Sequence, residues 1–352
     1  MTDLDDAAEL RAADPGGMLE AVTSLPSHCR EGYRLGLSAL DLPSAEGATA
    51  IAYCGMGGSA IGGEVLAALV APRLRLPVAI VRTSELPEWV GPHTLVVASS
   101  YSGATGETVA LFEEAVERGC RVVVVTSGGE LGRRADALEL GRVVVPGGFM
   151  PRAAFGYMAL GALGALEAMG VLPSLAADLE EAVLELEGVI GLQGPDVPAA
   201  ANPSKRLALA IGERVPVLWG ADGIGAVAAD RWKTQFNENA KVPAFAASMP
   251  ELAHNEVVGW SVGAGDGFAV IALRQQGESA DVAARFGPAM EIAEASGALT
   301  QEVWAQGHSA LARLLSLVQV GDLVATYLGI ARGFDPSPIE AIARLKRTLA
   351  EA

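Results

Sequence analysis

The chain has 352 residues, 51% of them apolar and 5% aromatic, with a formal net charge of −17. That length allows two domains with separate cores, and the acidic balance argues against nucleic acid, whose phosphates it would repel. Three scattered cysteines (Cys29, Cys54, Cys120), four histidines without metal-ligand spacing (His28, His93, His254, His308), no leader and no apolar run of bilayer length point to a reducing cytoplasm, no metal and no membrane.

In chain order, residues 17–42 carry apolar residues at helical spacing, broken near Pro26 and closed by Pro43, so a helical arm is expected over 1–46. From Ala50 the texture becomes strand, glycine turn, helix: Ile51–Cys54, then Gly55-Met56-Gly57-Gly58-Ser59, then a helical run to Val70. Strands are predicted again at Val78–Val81, Leu95–Ser99, Val122–Val125 and Val143–Val145, with helices such as Glu107–Arg118 between them. Aliphatic runs of this kind suit an α/β domain over 47–150 whose parallel strands are buried on both faces and joined by right-handed crossovers.

Within it, Leu95–Thr108 runs from a buried strand into hydroxyls and glycines and then a helix, the layout of a phosphate cradle. Ser100, Ser102 and Thr105 place three hydroxyls where one helix cap needs one. No lysine follows at nucleotide-loop spacing, so a small-molecule monophosphate fits better than a nucleoside triphosphate.

Helices predicted at Ala153–Met169, Ser174–Leu192 and Asn202–Ile211 make a connection over 151–213, after which the pattern restarts in 214–352. Val217–Gly225 repeats the layout of Ala52–Ala60, and Phe268–Leu273 repeats Leu95–Ser100, which marks an internal duplication. Arg274-Gln275-Gln276-Gly277-Glu278-Ser279 stands where the first copy has its hydroxyls, so the second copy is expected to supply something other than phosphate binding. Ligands of open parallel sheets sit beyond the carboxyl ends of the strands.

Two Gly-rich turns and a hydroxyl cradle in a tandem α/β repeat resemble the sugar isomerase (SIS) domain. The block Arg231-Trp232-Lys233-Thr234-Gln235-Phe236-Asn237-Glu238-Asn239-Ala240-Lys241, followed by His254-Asn255-Glu256-Val257-Val258-Gly259-Trp260, resembles the bifunctional phosphoglucose/phosphomannose isomerase family, over nearly the whole chain from Gly55 to Lys346. The resemblance implies two tandem SIS domains, each a parallel sheet flanked by helices in a flavodoxin-like three-layer α/β/α arrangement. It implies an aldose–ketose isomerase that interconverts glucose 6-phosphate and fructose 6-phosphate, and also mannose 6-phosphate, with no metal or cofactor. It further implies a homodimer with shared active sites, since the relatives' histidine reaches the site from a neighbouring subunit.

By the same resemblance Glu238 is the base that moves a proton between C2 and C1 through an enediolate, a task suited to a carboxylate shielded from water. On residue type alone it would be a solvent-facing helix carboxylate paired with Lys233 or Lys241. His254 matches the ring-opening group, and Lys346 the cation that assists it, although the helix dipole alone favours a lysine there. Arg152 aligns with an arginine near the substrate oxygens. Gly57, Gly58 and Ser59 would let backbone approach the sugar, and Ser100, Ser102 and Thr105 would hold its phosphate. Ser337 is the candidate for a further hydroxyl that the family carries near its terminal lysine. Two alternatives stand beside this reading: a phosphosugar-binding SIS protein without turnover, and an isomerase for another phosphosugar.

Overall fold

Runs of Val, Ile, Leu and Ala give strands with no polar face, and parallel strands covered on both sides are their natural setting. The computed structural model describes residues 2–70, 74 and 76–350. In chain order its elements are α1 (Ala7–Ala13), α2 (Met18–Thr23), α3 (Leu25–Leu37), β1 (Ala50–Cys54), α4 (Gly58–Val70), β2 (Val78–Val81), β3 (Thr94–Ser99), α5 (Gly106–Glu117), β4 (Arg121–Thr126), α6 (Gly129–Ala137), β5 (Arg142–Val144), α7 (Phe155–Ala168), α8 (Ala176–Gln193), α9 (Pro203–Ile211), β6 (Val215–Ala221), α10 (Ile224–Glu238), β7 (Phe245–Met249), α11 (Glu256–Trp260), β8 (Phe268–Arg274), α12 (Ala280–Ala295), β9 (Leu299–Trp304), α13 (Ala310–Ala331) and α14 (Glu340–Ala350). They fall into two compact units: Ser24–Glu187 with Gly307–Leu315, and Met1–Thr23 with Gly188–Gln306 and Ser316–Ala352. The expected arm 1–46 thus divides at residue 23, and the expected connection 151–213 at residue 187.

The unit built on Ser24–Glu187 holds a parallel sheet in the order β2-β1-β3-β4-β5, the flavodoxin-like doubly wound order. Strands β1 and β3 are buried along their whole length. Val96, Leu111, Phe112, Val124 and Leu131 form the core on one face of this sheet. The other unit holds a parallel sheet in the order β7-β6-β8-β9, which repeats the first four positions of that order. Its core packs Val217, Trp219, Met249, Val270 and Phe286. The duplication read from the sequence is therefore a duplication of topology.

Two expectations are corrected. The helical run is interrupted beside Pro26 as expected, α2 ending at Thr23 and α3 starting at Leu25 with Pro26 in its first turn, where the missing N–H is harmless, but α3 ends at Leu37 rather than running to Leu42. An apolar run of bilayer length does exist in α13, whose apolar window is wholly buried. Its hydrophobicity on all sides leaves no 3.6-residue stripe, so amphipathic periodicity passes over it.

Candidate active site

In the unit built on Ser24–Glu187, β3 ends at Ser99 and the chain turns through Ser100–Thr105 into α5. Ser100 is buried, and its Oγ lies 3.1 Å from Thr105 Oγ1. Thr105 is the N-cap of α5, yet its side chain makes no capping bond to the helix. The hydroxyls therefore bond one another beside the positive end of a helix dipole, and Ser102 is exposed at the rim. Gly103 makes the turn possible: its φ is 61°, and a Cβ there would overlap the carbonyl oxygen of Gly128.

The glycine turn after β1 braces this loop. Buried Ser59 accepts the Tyr101 N–H at 3.2 Å, and its carbonyl accepts the Ser99 hydroxyl at 3.3 Å. Gly57 has a φ of 52°, with open space where a side chain would be, and Gly58 starts α4 close to Arg152. Arg152 is buried in the turn before α7. Tyr101 and His28 hold the segment that carries it. The Tyr101 hydroxyl donates to Pro146 O at 3.1 Å and accepts the Phe149 N–H at 2.9 Å. His28 stacks on Tyr157 with ring centroids 4.4 Å apart and hydrogen-bonds the Ala153 backbone, while its burial holds the ring below the usual imidazole range.

In the other unit the equivalent turn after β8 is already filled. Arg274 is sandwiched between Phe286 and Trp304, 4.1 and 4.7 Å from the ring centroids. Its guanidinium donates to Glu278 at 2.8 Å and to Glu302 at 2.6 Å, and Glu278 also accepts the Gln275 N–H at 2.8 Å. A carboxylate of the chain itself thus takes the donors of this turn, and Ser279 caps α12 through the Val282 N–H. One copy of the turn is lined with hydroxyls; the other is closed by an internal ion pair.

The block Arg231–Lys241 forms the second half of α10 and the turn beyond it. Arg231 makes a bidentate pair with Asp322, at 3.0 and 2.7 Å, both residues being buried. Trp232 Nε1 donates to Leu317 O at 2.8 Å, packed over Gly321. Asn237 Nδ2 donates to Val242 O at 2.9 Å, and Asn239 Nδ2 to Thr326 Oγ1 at 3.2 Å. Glu238, the last residue of α10, is half-buried at the end of this locked segment.

The block at His254 is divided in the same way. Asn255 caps α11 by accepting the Glu256 N–H and bonds Glu251, while Glu256 accepts the Trp219 indole N–H at 2.7 Å. His254 is exposed at the end of a 3-10 turn, Glu251–His254. Lys346 lies in α14, but its side chain is outside the described residues. Ser337 is buried, its N–H donating to Asp335 at 2.9 Å, and it packs so close to Gly16 that a Cβ there would overlap its hydroxyl.

Residues 200–349 match the family model described as the bacterial phospho-glucose isomerase C-terminal SIS domain. The chain is 33% identical over 339 residues to the bifunctional phosphoglucose/phosphomannose isomerase of Caldicellulosiruptor bescii, covering 95% of this chain and 99% of that one. The chain belongs to the bifunctional phosphoglucose/phosphomannose isomerase family. Another member of that family, from Aquifex aeolicus, is 34% identical over 301 residues, or 85% of this chain and 90% of its own. A hypothetical protein of Thermus thermophilus shares the fold, with a TM-score of 0.74 at 17% identity over 95% of this chain and 90% of that one. The two sheets are thus tandem SIS domains, and the chain is a phosphoglucose/phosphomannose isomerase relative along nearly its whole length. The sequence gives no signal for the bracing roles of Tyr101 and Asp322, whose partners lie 45 and 91 residues away in the chain.

Proposed function

We propose that the protein is an aldose–ketose isomerase that interconverts glucose 6-phosphate and fructose 6-phosphate, and mannose 6-phosphate by the same route. Ser100, Ser102 and Thr105 hold the phosphate, with Gly57 and Gly58 admitting the sugar, Ser59 bracing the loop and Arg152 facing substrate oxygens. Glu238 moves the proton between C1 and C2, while His254 and Lys346 open the ring. The chemistry calls on no metal or cofactor. We place the active protein in the cytoplasm as a homodimer, with no nucleic-acid or membrane partner. Exposed His254, followed on the same segment by Val258 (67% exposed) and Val262 (87% exposed), supports a face covered by a second copy.

The observation that carries the reading is the contrast between the two copies of the strand-to-helix turn in a member of this family: the first is hydroxyl-lined, the second closed by Arg274 and Glu278. Incubating the protein with fructose 6-phosphate in deuterated water tests it. Glucose and mannose 6-phosphates carrying deuterium at C2 are the expected products. Binding without exchange would make the protein a phosphosugar-binding relative instead. For the cradle, Ser102→Ala should raise KM for fructose 6-phosphate about 10- to 100-fold through loss of one hydroxyl bond to charged phosphate, with kcat nearly unchanged. An unchanged KM would move the phosphate elsewhere.

A further inference from the structure

We propose that Lys241 is a positioning residue for the isomerase base, its ammonium tying the end of α10, where Glu238 sits, to the Asp335–Ser337 turn that precedes α14. The inference rests on the proposed role of Glu238 and extends it to a residue that does not touch substrate.

The last carbonyls of a helix have no helical donor and need one from outside. At the end of α10 a side chain provides it. Lys241 Nζ donates to Glu238 O and, at 2.8 Å, to Pro336 O. A cation at a helix C-terminus is also favoured by the dipole. The chain reaches this arrangement through a φ of 56° at Lys241, a conformation that non-glycine residues seldom adopt and that surrounding contacts must hold. Those contacts are on either side of it. Asn237 closes the turn onto Val242 O, and Asn239 bonds Thr326. Lys241 adds the link to a segment 95 residues further along the chain, just ahead of the helix that carries Lys346.

A base that serves two adjacent carbons must stay in reach of both, and displacement by a fraction of an ångström slows such a step steeply. A half-buried ammonium on two carbonyls fixes the backbone from which Glu238 projects and holds the 335–337 turn against it. Methionine would keep the lysine stem and lose the donors; arginine would keep charge and donors.

The test compares the full chain with K241M, K241R and E238Q, reading kcat and KM for fructose 6-phosphate, deuterium entry at C2 and thermal unfolding. K241M is expected to lose about 10- to 100-fold in kcat, with KM within about twofold, an unchanged melting profile, and recovery of most of the loss in K241R. Wild-type kcat in K241M overturns the proposal, as does a raised KM with kcat intact. Collapse of the cooperative melt in both K241M and a further variant, K241Q, overturns it too, because the lysine then serves folding alone. E238Q separates the underlying reading: if that variant keeps its turnover, the base is misassigned whatever Lys241 does.

Discussion

Glu238→Gln should reduce kcat for fructose 6-phosphate by about 10²–10⁴-fold, the usual contribution of a positioned general base, and change KM little. The substitution conserves size and removes the proton acceptor. Its surroundings should not move, because α10 is fixed by Arg231 on Asp322, Trp232 on Leu317 O and Asn239 on Thr326, none of which involves the side chain at 238. Substrate affinity should persist because the hydroxyls proposed to hold the phosphate belong to the β3–α5 turn. Loss of rate without loss of binding is the signature of a group that acts in the transition state. Steady-state kinetics and deuterium entry at C2 both read it. A variant that binds poorly yet turns over normally would make Glu238 a binding residue and leave the proton to another group.

The largest expected loss of stability follows Asp322→Ala. Arg231 is 1% exposed and Asp322 4%, and the two share a bidentate contact. Removing the carboxylate leaves a buried guanidinium without this counter-charge, a change that costs about 3–5 kcal/mol in comparable settings. The Asp322–Thr326 and Asn239–Thr326 bonds depend on the same stretch of α13, so the end of α10 should loosen as well. Urea unfolding followed by tryptophan fluorescence reports it directly, since Trp219 and Trp232 are both fully buried in this unit. The control is Asp281→Ala, which removes a solvent-exposed i,i+4 pair with Arg285 and should cost no more than about 0.5 kcal/mol. Equal midpoints for the two variants would mean that the buried pair contributes no more than the surface one.

Much of this protein could be read before it was folded. The alternation of aliphatic runs with glycine turns and helices carried the parallel sheets, and strands such as Val78–Val81 were placed to the residue because unbroken aliphatic runs rich in Val and Ile, preceded by a proline, admit little else. The hydroxyl turn after β3 was legible because its pattern is local, whereas Glu238 and His254 stood out only through the resemblance of the blocks around them, residue type alone pointing to a solvent-facing carboxylate at 238. The duplication, too, lies in the order of residues along the chain.

Contacts between distant segments were not legible. The sequence shows Arg274 and Glu278 in place of hydroxyls, but only the folded chain brings Phe286, Trp304 and Glu302 around them and closes that turn. It shows the block Arg231–Lys241 as a motif, yet tertiary structure assigns its parts: Arg231, Trp232, Asn239 and Lys241 bond partners at least 85 residues away, and Glu238 stands at the end of the helix they hold. Helix α13, apolar on every side, gives no periodic signal, and its single aspartate at 322 acquires meaning only opposite Arg231. Local propensity and pattern depend on neighbours in the chain, whereas burial, ion pairing and the filling of a turn depend on which residues meet after the backbone has closed on itself, and only the tertiary structure decides that.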